Sequence, residues 1–485
     1  MNFRVMRNII GKIMILFSIF MILPLIISLL YKEGLRNYLA YLIPGICTYG
    51  IGYLLSFKKN KDIKMGVKEG FIIVGLSWTV ISLIACVPFM ISKDIPNFFN
   101  AFFETVSGFT TTGASVIDVT EISHSGLFWR SFLHWIGGMG ILVFILALIP
   151  ESNEGSSMHI LRAESPGPQV GKLVSKMKLT SRYLYLIYLG LTLIEFLLLY
   201  LGPDKEMKFF NSLIYSLGTA GTGGFAMDAY SLEFYGTYSQ YVVAIFMYIF
   251  GINFTMFYLL LIGNFKSIFK NEELKTYCIM VLVSVIVITI NIFPMYSGLE
   301  EAFKHSFFQV ASIISTTGYS TTNFIDWPSL SLTILMLLTL SGACAGSTAG
   351  GMKISRIIIL AKSFTRNIKK MLAPRKVETI KINEKTIDEQ QVESVQSYLV
   401  VYFIVLIVCA ILISFDGNDL FTNLSASLTC ISNVGPGLTQ MIGPYGSFEG
   451  FSAFSKIVLS LEMIAGRLEI FPLLMLFYPR IWLKK

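Results

Sequence analysis

The sequence predicts an all-α polytopic membrane protein of ten transmembrane spans: an N-terminal two-helix hairpin followed by four pseudo-repeats of one unit. Three observations carry this. Charged residues are only 14% of the 485-residue chain and hydrophobic ones 54%. A soluble globular chain carries about 25% charged residues, so the side chains needed to coat a water-facing surface are missing. Apolar stretches long enough to cross a hydrocarbon core recur along the whole chain. Four shorter amphiphilic segments, each ending at a glycine, recur between them at similar spacing.

The first apolar run covers 13–31 and is free of charge. No small-residue cleavage site with a soluble chain follows it, so it reads as a transmembrane helix rather than a removed signal peptide. Further charge-free spans follow at 37–57, 70–92, 131–150, 234–265, 276–299, 327–352 and 394–415. Two more carry charge: 183–203 holds Glu195, and 452–478 holds Lys456, Glu462, Arg467 and Glu469. Grouped by unit, residues 1–62 form the hairpin, and 63–160, 161–265, 266–390 and 391–485 form repeats one to four.

Lysine and arginine set the expected orientation. With the N-terminus in the cytoplasm, 29 of the 38 basic residues fall on the cytoplasmic side, in the N-terminal end, 58–68, 162–182, 266–275, 353–385 and the C-terminal end. Both termini are therefore expected in the cytoplasm. The net charge of +8 is then sidedness, and calls for no nucleic acid. The ten basic residues in 353–385 suit anchoring at anionic membrane lipid and are dense enough to dock a cytoplasmic partner. Composition excludes disorder, a collagen-like repeat and a disulfide-stapled module. The six cysteines lie in apolar or small-residue stretches without a CxxC pair and read as free thiols. The four histidines lack metal-ligand spacing.

The four short segments read NFFNAFFETVSGFTTTG over 97–113, FFNSLIYSLGTAGTG over 209–223, FKHSFFQVASIISTTG over 303–318 and FTNLSASLTCISNVG over 421–435. Each is too short to cross and lies between an outward and an inward span, as a re-entrant half-helix would. A phenylalanine stands fourteen positions before the glycine in three copies (Phe99, Phe209, Phe421) and fifteen before it in the other (Phe303). Irregular backbone at membrane depth is tolerated only where it is buried or lines a watery cavity. Four such loops around one axis can pool carbonyl oxygens into rings that replace the water around a dehydrated cation. Glycine permits φ > 0 without a Cβ clash, and half-helices aiming their partly negative C-terminal ends inward favour a cation. The expected ion-binding residues are Thr111, Thr112 and Gly113; Gly221, Thr222 and Gly223; Thr316, Thr317 and Gly318; and Asn433, Val434 and Gly435. The bland reading, tight outer turns, does not call for an apolar half-helix before each glycine.

These loops resemble those of the Trk/Ktr/HKT superfamily of potassium transporters, and the additional N-terminal hairpin resembles its TrkH branch. The resemblance covers essentially the whole chain. It implies four M1–P–M2 units like those of tetrameric potassium channels, fused around one pore. Glycine at all four filter positions implies a preference for potassium, which is the transported ion; no organic cofactor is implied. The resemblance also implies a homodimer in the bacterial inner membrane and a nucleotide-binding TrkA-type regulatory subunit.

After the third loop the span is interrupted. Residues 341–352 read SGACAGSTAGGM, which weakens helix propensity and leaves backbone groups in need of other partners. One reading is close helix packing through small residues. The other is an intramembrane loop beneath the filter that closes the pore, with Gly342, Gly346, Ser347, Thr348, Gly350 and Gly351 as its gating residues. Resemblance supports the second. Arg467 is the only arginine inside a span, where an arginine faces a partner or a watery cavity. It either pairs with Glu462 or Glu469, or, as the resemblance favours, forms a constriction with the 341–352 loop. A secondary carrier of another class would show inverted half-sequence repeats, and a membrane enzyme would need paired acid–base groups in the spans. Four same-sided loops and few span carboxylates favour neither.

Overall fold

The computed structural model describes residues 3–57, 67–140, 177–374 and 378–479. Outside them lie most of the basic stretches at 58–68 and 162–182, the second half of the 131–150 span, the unit boundaries at 62/63 and 160/161, and the basic C-terminal end.

The hairpin consists of α1 (Phe3–Phe20), α2 (Ile22–Tyr31) and α3 (Leu35–Ser56). The first two share one apolar stretch, interrupted at Met21. Pro24 accounts for the break, since it has no N–H to donate and its ring crowds the carbonyl four residues back. Gly11 and Gly52 let α1 and α3 touch backbone to backbone: a Cβ on either would stand 2.7 Å from the other's carbonyl oxygen. Small residues permit such close approach in lipid, where van der Waals packing holds helices together.

Each unit then runs long span, half-helix, loop, second helix. The first comprises α4 (Val67–Ala85), α5 (Val87–Ser92), the half-helix α6 (Phe98–Phe109) and α7 (His124–Met139). In the second, α8 (Met177–Tyr200) and the half-helix α9 (Phe209–Gly221) precede α10 (Thr237–Phe250), α11 (Phe254–Leu261) and the short α12 (Phe265–Phe269). The third holds α13 (Glu272–Ile292), the half-helix α14 (Leu299–Ile314), α15 (Ser329–Ser341) and α16 (Ile354–Leu372). A two-stranded antiparallel hairpin, β1 (Lys381–Ile382) and β2 (Lys385–Thr386), leads to the fourth. There α17 (Glu389–Ile413) and the half-helix α18 (Leu420–Ser432) are followed by α19 (Ala453–Arg467) and α20 (Phe471–Leu476).

Among the described residues, six helical stretches are long and apolar enough to cross a membrane: Phe3–Tyr31, Leu35–Ser56, Lys68–Ser92, Ser181–Tyr200, Glu272–Met295 and Glu389–Asp416. These are the hairpin and the first span of each of the four units. The spans expected at 234–265, 327–352 and 452–478 are not continuous helices. α10 and α11 meet at a 92° bend, where the Asn253 side chain accepts from Thr255 N–H and starts a new helix. α15 stops at Ser341 and helix resumes at Ile354. α19 stops at Arg467, because Glu469 and Ile470 have positive φ and Pro472 opens the next turn.

The half-helices are the centre of the molecule. Every residue of α6 from Ala101 to Phe109 is buried, as is α9 from Ile214 to Gly221. The long outer spans expose rows of leucine, isoleucine and valine, the surface that lipid covers. α14 begins four residues earlier than the Phe303 start expected for it. Glu300 and Glu301 occupy its first turn, where carboxylates offset the positive end of the helix dipole.

Candidate functional site

All four half-helices end in the same closure. The chain turns left-handed directly after α9 and α18, at Thr222 (φ 55°) and Asn433 (55°), and one residue later after α6 and α14, at Thr111 (58°) and Thr316 (58°). The next N–H then donates to the carbonyl five residues back. These bonds are Thr112 to Ser107 at 2.8 Å, Gly223 to Gly218 at 2.9 Å, Thr317 to Ser312 at 2.9 Å and Val434 to Thr429 at 3.0 Å. This is the Schellman arrangement, which gives the last helical carbonyls a partner. One residue further, positive φ returns at Gly113 (84°), Gly224 (78°), Gly318 (89°) and Gly435 (98°).

This fixes the register, and it corrects one expectation. In the second repeat the glycine equivalent to Gly113, Gly318 and Gly435 is Gly224, not Gly223. Gly223 takes the place of Thr112, Thr317 and Val434, and Gly221 falls one position before the left-handed residue because α9 continues through it. Gly223 is small for another reason. A Cβ there would run into the His134 ring.

The glycines close a ring through space. A Cβ on Gly113 would overlap the carbonyl oxygen of Gly223, one on Gly224 that of Thr317, one on Gly318 that of Val434, and one on Gly435 would stand 2.6 Å from that of Thr112. Each unit thus presses its glycine against the carbonyl preceding the glycine of the next, and the fourth returns to the first. Hydroxyls and one amide stiffen the ring from behind. Thr110 Oγ1 lies 2.8 Å from Thr112 Oγ1, and Ser315 Oγ lies 2.7 Å from Thr317 Oγ1. Asn433 Nδ2 donates to Thr112 Oγ1 at 3.0 Å and to Met463 O at 2.9 Å, tying the fourth repeat to the first.

His134 packs against the loops at a position that metal spacing gave no reason to choose. Phe225 N–H donates to its Nε2 at 3.2 Å, so the proton sits on Nδ1, which donates to Gly108 O at 2.7 Å. One buried neutral imidazole therefore joins the first half-helix to the strand after Gly224. Only the through-space neighbours reveal it.

All four ring glycines line a cavity of about 300 Å³, together with Asp118, Asp228, Glu449 and Arg130. Hydrogen bonds from Thr120 N–H (3.0 Å) and Thr120 Oγ1 (2.7 Å) hold the Asp118 carboxyl below its ordinary range, so it stays anionic at the mouth.

The 342–353 segment abuts the other end of the loops. Its ends meet: Lys353 N–H donates to Ser341 O at 2.9 Å and Ile354 N–H to Ala343 O at 3.0 Å. Gly350 N–H donates to Thr316 Oγ1 at 2.7 Å, and a Cβ on Gly350 would strike Ser432 O. Gly342 and Gly351 cross so closely that a Cβ on Gly351 would stand 2.8 Å from Gly342 Cα. Gly346 O accepts from Phe254 N–H at 3.0 Å, at the α10–α11 bend. Ser347 Oγ stays within the segment, donating to Cys344 O at 2.6 Å. Glu273 Oε1 holds both ends, accepting from Ala345 N–H at 2.7 Å and Ser355 N–H at 3.1 Å.

Arg467 reaches this segment. It donates to Thr348 O at 2.7 Å, and to Gly137 O and Gly138 O at 2.6 and 2.5 Å at the end of α7. Glu469 pairs with Arg356, and Glu462 Oε1 accepts from Ser427 Oγ at 2.5 Å. Arg467 therefore straddles the segment and the first repeat.

Comparison with known proteins places this geometry. The family model TrkH, described as a cation transport protein, matches residues 40–484. The Trk system potassium uptake protein TrkH of Escherichia coli K12 is 33% identical over 491 residues, covering 99% of this chain and 100% of the relative. TrkI of Halomonas elongata, also a Trk system potassium uptake protein, is 27% identical over 98% of this chain and 96% of its own length. The crystal structure of the potassium transporter TrkH from Vibrio parahaemolyticus superposes with a TM-score of 0.88 at 31% identity, over 100% of both chains. The chain belongs to the TrkH family of cation transport proteins.

Proposed function

We propose that this protein takes up potassium across the bacterial cytoplasmic membrane, as the ion-translocating subunit of a Trk-type system. The observation that carries the reading is the closed ring of four glycine loops. Four left-handed turns in one register bring Gly113, Gly224, Gly318 and Gly435 against their neighbours' carbonyls. Backbone so arranged at membrane depth suits exchange of an ion's water for carbonyl oxygen. The filter then comprises Thr111–Gly113, Thr222–Gly224, Thr316–Gly318 and Asn433–Gly435. Asp118 and Asp228 at the mouth raise the local cation concentration.

The 341–352 segment is the gate, latched by Arg467 through Thr348 O. Both termini face the cytoplasm, so the basic α16 lies on that side, against anionic lipid and a TrkA-type regulatory subunit. The working unit is a homodimer, and the five segments 1–62, 63–160, 161–265, 266–390 and 391–485 are its structural divisions.

Growth of a bacterium lacking its own potassium uptake systems tests the reading. Expression of this chain with its partner restores growth at limiting potassium. Rescue by an organic solute, with no effect of potassium, would contradict it.

A further inference from the structure

Behind the first filter loop lies an ion pair whose arginine, Arg130, reaches the lining of the cavity above the ring. Glu104, on α6, is fully buried, and the Arg130 side chain, on α7, is 2% exposed. Arg130 Nε donates to Glu104 Oε1 at 2.9 Å, and its Nη2 lies 2.7 Å from the same oxygen. The carboxylate also receives Ser115 Oγ at 3.0 Å and the Val116 N–H at 3.0 Å. Ser115 and Val116 are the second and third residues after Gly113. In the neighbouring repeat, the Arg130 guanidinium stacks 4.0 Å from the centroid of Phe225, the residue after Gly224.

The other repeats brace the same place without charge. Nine residues before the ring glycine, where the first repeat has Glu104, the second has Tyr215, the third Gln309 and the fourth Ala426. Gln309 Nε2 donates to Ser320 Oγ at 2.6 Å, and Ser320 is the counterpart of Ser115. Tyr215 Oη accepts from Met227 N–H at 3.5 Å, and Ser425 Oγ accepts from Leu438 N–H at 2.7 Å. Met227 and Leu438 are the counterparts of Val116. Seventeen residues after its glycine, where the first repeat has Arg130, the third has the buried Leu335. A fully buried ion pair contributes little net stability compared with apolar packing, and the third repeat folds without one. Stability alone does not account for the pair.

We propose that Glu104 and Arg130 are positioning residues for selectivity: the pair sets the strand after Gly113 against the strand after Gly224, and so sets the potassium-over-sodium preference of the ring. This rests on the reading of the four loops as a filter. Removing one charge alone orphans the other, so the informative variant gives the first repeat the third repeat's solution, Glu104→Gln with Arg130→Leu. Purified protein in vesicles, with potassium and sodium flux measured separately, reads the effect. The double variant keeps its thermal unfolding temperature, while its potassium-to-sodium flux ratio falls about tenfold, ~1.4 kcal/mol of discrimination. Glu104→Gln alone keeps an acceptor for Ser115 and Val116 without the charge. It lowers the ratio in the same direction and supplies the readout if the double variant does not reach the membrane. Gly113→Ser is measured beside them. A ratio that falls in Gly113→Ser and stays unchanged in the pair variants overturns the positioning role alone. A ratio unchanged in all of them overturns the filter reading and this inference with it.

Discussion

Gly223 and Gly224 are adjacent, identical in sequence, and differ in what makes each one glycine. Gly224 sits at φ 78° against Thr317 O, whereas Gly223 makes room for the His134 ring. The sequence could not separate them, because the second repeat doubles both landmarks: Phe209 and Phe210 at the start of the half-helix, Gly223 and Gly224 at its end. Either pairing keeps the fourteen-residue spacing. Left-handed closure at Thr222, and hence the register, emerges only once the helix end is built. Alanine at the two positions should therefore fail differently. At Gly224 it meets a fixed carbonyl and a left-handed backbone costing ~1–2 kcal/mol before any overlap, so no neighbouring side-chain change restores uptake. At Gly223 it meets a side chain, and the smaller His134→Ser restores part of the lost flux. Potassium uptake by the two single and two double variants checks this; equal rescue at both positions would refute the assignment.

At the level of elements, the half-helices were legible because an apolar dozen residues ending at a glycine is neither a span nor an ordinary turn. The inward spans were legible as apolar but not as broken. Hydropathy does not register that Asn253 caps a new helix, or that Ile470 adopts φ 69°. The 341–352 interruption was readable from its small residues. Its anchoring was not, because Glu273 lies about seventy residues earlier in the chain. That carboxylate receives the N–H groups of Ala345 and Ser355, near the two ends of the segment. Glu273→Ala leaves two buried donors without this partner, at about 1–3 kcal/mol each, and so loosens the proposed gate. Arg467→Ala removes the latch at Thr348 O. Both variants should raise potassium leak through the otherwise closed protein, with no change in the potassium-to-sodium ratio. Unchanged closed-state leak in both would contradict the gating account.

For the whole molecule, low charge and recurrent spans were enough to place the chain in a membrane, and the glycine repeats were enough to suggest a common axis. The order around that axis was not in the sequence. It appears in the carbonyl each glycine meets, first to second, second to third, third to fourth and fourth to first. One asymmetry survives this closure: the first repeat has a charged brace at Glu104 and Arg130, and the fourth has Asn433 in place of a threonine. The central claim is that four loops make one filter, so every glycine must count. The most direct measurement is the potassium-to-sodium flux ratio of purified protein in vesicles, for Gly113→Ser, Gly224→Ser, Gly318→Ser and Gly435→Ser made one at a time. The account predicts a lower ratio in all four. A ratio unchanged in any of them, with flux intact, would show that its loop is outside the ring that selects the ion.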